Sequence, residues 1–349
     1  MYILRLKTLD AFIAFDLDNA RFSAGGTRFA PDVTEQEAAL LARAMTYKFG
    51  VLGLQAGGAK GAIRGTPERK AELMQKYCDE IRPLITERRF GTAADLGTAE
   101  SDFASLRDPS EPPSIMAGHI GGDSIEDLVT GFGVVVAAET ATGTLDAATF
   151  AIEGFGKVGG GVAREVIRRS GRVVAVSTIQ GVVCDPAGLD VEALLTLRRA
   201  HGDAFVHHAG CAFDPDPKAL FSTEADILVP GARTGVISAD VAQRLKARWI
   251  VPAANVPYTA DALEVLRSRR VRYLADFVCN AGATIGFTSG ASEPSTLFAH
   301  VEQTIARLQE QAGAHPSGPY EGACRIAEDY LRTWRGPDAM PDGPPLAPA

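Results

Sequence analysis

The chain is short of the features that would tie it to a metal, an oxidising compartment, a membrane or a nucleic acid. Its five cysteines, Cys78, Cys184, Cys211, Cys279 and Cys324, are odd in number and far apart, with no CxxC pair and no histidine at ligand spacing. They read as reduced thiols of a cytoplasmic protein. The histidines form no ligand set either: His207 and His208 are adjacent, while His119, His201, His300 and His315 are scattered, so no metal is expected. The first twenty residues set Arg5, Lys7, Asp10 and Asp16 around a short apolar stretch, which fits neither a signal peptide nor a membrane span. Positive charge is in the minority, 35 Lys and Arg against 43 Asp and Glu, and the net charge of −8 argues against a nucleic-acid partner. The short basic runs at 168–169, 198–199 and 267–270 read as solvated helix faces. No internal repeat is evident.

What is present is ordinary globular material, 349 residues with 46% apolar and 22% charged side chains, enough for two domains. Residues 11–15 have the apolar and aromatic character of a strand, followed by a glycine turn at Gly25-Gly26. Thr34 and Glu37 form a T-x-x-E capping box that starts a helix with Ala38, Leu41 and Met45 on one side and Lys48 at its end. Residues 49–54 read as a strand delivering the chain into a glycine loop, and Thr66-Pro67-Glu68 opens the next helix. A short polar loop follows at 92–98. The proline-rich stretch 109–114 and the glycines of 118–122 suggest a domain boundary near 130. Beyond it, strands at 148–153, 172–177, 226–230 and 248–253 alternate with helices, which predicts a parallel sheet covered by helices. Residues 335–349, rich in proline, alanine and glycine, read as a disordered tail.

The strand at 148–153 runs straight into Gly154-Phe155-Gly156-Lys157-Val158-Gly159, and Val158, Val162, Val166 and Ile167 make the apolar stripe of a helix. GxGxxG in a strand–turn–helix setting points to a dinucleotide site, because its glycines let backbone N–H groups at a helix N-terminus approach a pyrophosphate. The acidic residue expected at the end of the second strand is missing, since 174–176 runs into Ser177, Thr178, Ile179 and Gln180. Nothing there repels a 2′-phosphate, so NAD and NADP are both permitted, with Ser177 or Thr178 as a candidate contact.

A second stretch, Leu54 to Ile63 (LQAGGAKGAI), sets one lysine in a frame of glycine and alanine. A frame that buries Lys60 would disfavour its charged form and make it a base. Lys48, twelve residues earlier, is a candidate anion anchor, and Asp95, flanked by Ala93, Ala94 and Leu96, is a proton shuttle or an N-cap.

Seven motifs stand in one order: Gly25-Gly26-Thr27-Arg28, Met45-Thr46-Tyr47-Lys48, Gly57-Gly58-Ala59-Lys60-Gly61, Asp95-Leu96-Gly97-Thr98, Thr130-Gly131-Phe132-Gly133, Gly154-Phe155-Gly156 and Asn280-Ala281-Gly282. In that order the chain, over roughly residues 10–290, resembles the Glu/Leu/Phe/Val dehydrogenases. The first half is closer to the leucine and phenylalanine branch, and the stretch from 188 to 257 is more like glutamate dehydrogenases. The resemblance implies reversible, NAD- or NADP-dependent oxidative deamination of an L-amino acid to its 2-oxo acid and ammonia. It implies that Lys48 holds the substrate α-carboxylate, that Gly25 and Gly26 are further substrate contacts, that Lys60 acts on the attacking water, and that Asp95 carries protons. It also implies cofactor contacts at Thr130, at Gly154, Phe155, Gly156, Lys157, Val158 and Gly159, and at Asn255 and Asn280 near nicotinamide and substrate.

The chain departs from the family pattern at three places. Ala24 replaces the lysine that glutamate-specific members carry before Gly-Gly-x-Arg, which leaves a γ-carboxylate unpaired and favours an apolar substrate of valine or leucine size. By the same mapping Ala24, Ala93, Thr284 and Phe287 line the substrate pocket. Lys157 stands where asparagine is usual, and Ala283 replaces a glycine. The expected architecture is α/β with two domains. A substrate domain takes 1–130 plus C-terminal helices at 291–334, and a Rossmann domain takes 131–290. A cytoplasmic homo-oligomer is expected, and the alternatives are a glutamate dehydrogenase or a non-catalytic nucleotide-binding relative.

Overall fold

The computed structural model describes residues 1–108, 110, 114–336 and 340–349. The chain divides into two compact units, Met1–Pro113 with Cys324–Pro345, and Ser114–Ala323 with Leu346–Ala349. A boundary at 130 would cut the continuous helix Ile125–Thr142, so the division precedes that helix.

The first unit is a mixed sheet in the order Tyr2–Arg5, Ala11–Phe15, Gly57–Ile63, Ser23–Ala24, Phe90–Gly91, with Thr27–Phe29 also paired to Gly57–Ile63. Its central strand, Gly57–Ile63, is buried at every position, antiparallel to Ala11–Phe15 and parallel to Ser23–Ala24 and Thr27–Phe29. This corrects two expectations. Residues 49–51 finish the helix Glu35–Val51 instead of opening a strand, and the glycine–alanine stretch is a strand instead of a loop. The physical reason is packing from both sides. A Cβ on Gly58 would stand 1.9 Å from the Ala42 carbonyl oxygen of helix Glu35–Val51, and one on Gly61 would stand 2.2 Å from the Tyr77 hydroxyl of helix Lys70–Thr86. Small residues let both helices close onto the strand, and that removes the alternation by which a half-exposed strand is read. Gly25-Gly26 is likewise no turn but a link between short strands, for a Cβ on Gly25 would lie 1.8 Å from the Ala59 carbonyl oxygen.

The second unit holds a seven-stranded sheet in the order Ala212–Asp214, Gly181–Cys184, Arg172–Thr178, Thr149–Glu153, Ile227–Pro230, Trp249–Ile250, Arg272–Tyr273. The last five run parallel, and the first two are joined on through antiparallel pairings in which only Gly181–Cys184 runs against the rest. After Thr149–Glu153 the chain builds the strand on one side, then crosses to Ile227–Pro230 on the other, so the glycine turn at 154 sits where the strand order reverses. That switch point is where α/β sheets of the Rossmann type take their ligands.

Helix Pro294–Gly313 packs on Ile125–Thr142, with Phe298 edge-on to Phe132 at 5.0 Å and Ile305 against Gly133. Residues 291–323 therefore belong to the second unit, and the return to the first begins at Cys324. The expected disordered tail is a correction for its described part, 340–349. Ala347 N–H donates to the Tyr258 carbonyl at 2.9 Å, and Arg43 donates to the Gly343 carbonyl at 2.9 Å. Of the proline-rich stretch 109–114 only Ser110 and Ser114 lie among the described residues. Two basic runs are also less solvated than expected: the Arg169 side chain, 10% exposed, pairs with Glu139, Glu165 and Glu302, and the Arg198 Nε is shielded from solvent.

Candidate active site

In the first unit Lys60 projects from the buried central strand, level with Ala14 of the neighbouring strand, and is only 4% exposed. Its Nζ lies 2.9 Å from Asp95 Oδ2. The same oxygen accepts from Arg28 Nε at 2.9 Å, and Arg28 Nη1 reaches Glu37 Oε1 at 2.5 Å. Four charges thus form a chain, Lys60–Asp95–Arg28–Glu37, on strand, loop, strand and helix.

Local structure fixes each member. Asp95 N–H donates to the Thr98 hydroxyl at 2.8 Å, and that hydroxyl donates to the Thr27 carbonyl at 2.8 Å, tying the loop to the strand that carries Arg28. Gly97 turns this loop with φ +79°, and a Cβ there would stand 2.0 Å from the Phe29 carbonyl oxygen, so no other residue fits. A Cβ on Gly26 would meet Asp95 Cβ at 3.0 Å. Thr27 N–H donates to the Ala93 carbonyl at 3.0 Å, and Ala24 is in register with Gly58 and Gly91. Asp95 is therefore no N-cap. Thr34 caps helix Glu35–Val51 as expected, accepting from Glu37 N–H at 3.1 Å, but the Glu37 carboxylate turns to Arg28 instead of closing a capping box. Lys48 is buried in the last turn of the same helix.

Burial drives the Lys60 pKa down, Asp95 opposes this, and Arg28 adds to it; the outcome is an ammonium that loses its proton below the usual lysine range. Burial raises Asp95, but Lys60 and Arg28 more than offset it, so its carboxyl is held below the ordinary carboxylate range. Because each sustains the other's charge, the two titrate as a pair.

In the second unit Gly154 adopts φ +81°, and a Cβ there would stand 2.9 Å from Ala232 Cβ. A Cβ on Gly159 would lie 2.0 Å from the Gly154 carbonyl oxygen, so this glycine seats helix Lys157–Arg168 against the turn. Gly156, the N-cap, has open space instead, with one side-chain atom 3.9 Å from where its Cβ would be. An uncrowded Cα beneath the free N–H groups of a helix start fits a pyrophosphate. Phe155 is buried against Phe205, Val158 is half-buried, and the Lys157 side chain, 73% exposed, stands 3.7 Å from Asp127.

The remaining candidates also lie in this unit. Thr130 sits inside helix Ile125–Thr142 and donates its hydroxyl to the Glu126 carbonyl at 2.8 Å, so it caps nothing and keeps its oxygen as an acceptor. Asn280 Nδ2 donates to Asn255 Oδ1 at 2.9 Å and to the Ala253 carbonyl at 3.1 Å, bringing the two asparagines together. Thr284 is half-buried and Phe287 is 40% exposed on helix Gly282–Thr288. Ser177 is buried, its carbonyl accepting from Gly154 and Phe155 N–H. The Thr178 hydroxyl donates to the Asp203 carbonyl at 3.0 Å and keeps its oxygen as an acceptor. Arg28 and Glu37 are the charges that residue reading missed as site members; Arg28 stood in the Gly-Gly-x-Arg motif, whereas Glu37 carried only a helix-start signal.

No group of three metal-ligating side chains and no helix long and apolar enough to cross a membrane occurs among the described residues. Comparison with known proteins gives a consistent result. Residues 121–316 match the Glutamate/Leucine/Phenylalanine/Valine dehydrogenase family, and residues 5–111 match the Glu/Leu/Phe/Val dehydrogenase dimerisation domain. A glutamate dehydrogenase of Thermotoga maritima is 31% identical over 88% of this chain and 77% of its own. Glutamate dehydrogenase A2 of Halobacterium salinarum is 34% identical over 75% of this chain and 67% of its own. Among solved structures, the hetero-hexameric glutamate dehydrogenase of Thermus thermophilus, leucine-bound, is similar with TM-score 0.77 and 25% identity over 93% of this chain and 83% of that one. The L-tryptophan dehydrogenase of Nostoc punctiforme shares the fold at TM-score 0.61 and 22% identity, covering 95% and 94%. Matched in both of its parts and along most of its length, the chain belongs to the Glu/Leu/Phe/Val dehydrogenase family.

Proposed function

We propose that the protein is an L-amino-acid dehydrogenase that interconverts an apolar, valine- or leucine-sized amino acid with its 2-oxo acid and ammonia. Oxidation at a CH–NH2 carbon with NAD or NADP is the family's reaction; the substrate and the residue roles are our reading. The observation that supports it most is the Lys60–Asp95 contact on a strand buried at every position.

When bound, NAD or NADP supplies the hydride acceptor for the substrate α-carbon. Thr130, the 154–159 turn, Asn255 and Asn280 hold that cofactor. The other steps fall to side chains of the first unit. Lys48, with Gly25 and Gly26, holds the α-carboxylate as a charge-assisted pair. Lys60, whose charged form is disfavoured, takes a proton from the water that attacks the imine. Asp95, kept ionised by two cations, accepts a hydrogen bond from the α-amino group and takes its proton only as Lys60 gives up its own. Ala24 offers a methyl group where a γ-carboxylate would need a cation, and Ala93, Thr284 and Phe287 are further candidates for touching the substrate side chain. The 2′-hydroxyl or 2′-phosphate of the cofactor falls near Ser177.

The identity to glutamate dehydrogenases favours a second reading, with glutamate as substrate. One assay separates the two: 2-oxo acids with ammonia, followed by absorbance of NADH and of NADPH in parallel. The branched 2-oxo acids are expected to turn over faster than 2-oxoglutarate. If 2-oxoglutarate is best, the apolar-substrate reading falls; if nothing is turned over, a non-catalytic relative is left.

A further inference from the structure

Arg198 and Arg199 stand in the last turn of the helix Val191–His201, where Arg199 is exposed and Arg198 half-buried. One turn earlier on the same face, Leu195 abuts the glycine-rich helix start, for a Cβ on Gly160 would stand 2.8 Å from Leu195 Cδ2. The helix is thereby held against the beginning of Lys157–Arg168, and the Arg198 guanidinium follows it to the turn. Its Nη2 is the atom that lies 3.9 Å from where a Cβ on Gly156 would be. Its Nε is buried without a hydrogen-bond partner, and no carboxylate pairs with the guanidinium among the described residues.

A buried N–H donor left unpaired is costly, and an arginine without an anion is a poor occupant of such a place unless an anion arrives. Three features converge at Gly156: the positive end of a helix, the free N–H groups of its first turn, and a planar guanidinium fork. We propose that Arg198 is a further cofactor-binding residue, donating to the pyrophosphate of the dinucleotide; this rests on the reading of the 154–159 turn as the nucleotide site. The pyrophosphate is chosen over a 2′-phosphate because Gly156 is the second glycine of the fingerprint, the one whose bare Cα the pyrophosphate approaches. The strand end at Ser177 and Thr178 is the place for the ribose.

The test is binding to the unliganded full chain, read by nicotinamide fluorescence with NADH and NADPH at several salt concentrations. R198Q is expected to weaken both dinucleotides alike, on the order of tenfold, and to flatten the fall of affinity with salt. R198K, which keeps the charge, is expected to restore the salt dependence. Parental affinity in R198Q, a loss confined to NADPH, or no recovery of salt dependence in R198K would each overturn the assignment. A parent protein that binds neither dinucleotide would bring down the nucleotide reading along with it.

Discussion

At the Lys60 ammonium opposed influences compete: burial and the Arg28 charge lower its pKa, and Asp95 and Glu37 raise it. Their signs can be tested separately, because deamination needs the neutral amine and kcat/KM should rise with pH through the Lys60 pKa, below the ordinary lysine value. Removing the Arg28 charge in Arg28→Gln should move that rising limb to higher pH. Asp95→Asn should lower the rate about 10² to 10⁴-fold as a proton carrier is lost, and move the limb of the residual activity to lower pH. Parallel shifts in the two variants would show that the pair is not coupled as described. Lys60 and Asp95 were legible in the sequence because each sits among small or apolar neighbours within its own short motif. Glu37 was not, since it sits on a helix while its partner Arg28 comes from a strand, and only the fold sets the two side by side.

Elements make the same point about glycine. Gly58 and Gly156 look alike in the sequence, yet a Cβ on the first would collide with the backbone of helix Glu35–Val51, whereas one on the second would enter open space. Gly58→Ala should therefore destabilise the protein by about 1–3 kcal/mol, as overpacking does, and reduce activity by displacing the strand that bears Lys60. Gly156→Ala should leave stability within about 0.5 kcal/mol and weaken dinucleotide binding, its methyl taking the place of a phosphate oxygen. Thermal melts and NADH titrations on the two variants distinguish them. The Rossmann strands at 149–153, 172–178 and 227–230 were readable because branched apolar runs between glycines have few other uses. The strand at 57–63 was not, because a segment pressed by helices on both faces is built from the residues that also build loops.

For the whole molecule, the division into units differs from the expected one mainly where long helices decide it. Ile125–Thr142 carries the boundary back to 114, and Pro294–Gly313 keeps residues up to 323 in the second unit. The match of residues 5–111 to a dimerisation domain leads us to propose a homo-oligomer. Light scattering should return a multiple of the 36.8 kDa chain mass, and a stable monomer at working concentration would contradict it. The proposed chemistry depends most on the charge state of one side chain, which can be titrated directly. With ¹³Cε-labelled lysine, and Lys60→Met to assign the resonance, NMR should show the Lys60 signal titrating below the exposed lysines of the same chain. A Lys60 signal that titrates with those lysines, or above them, would contradict it.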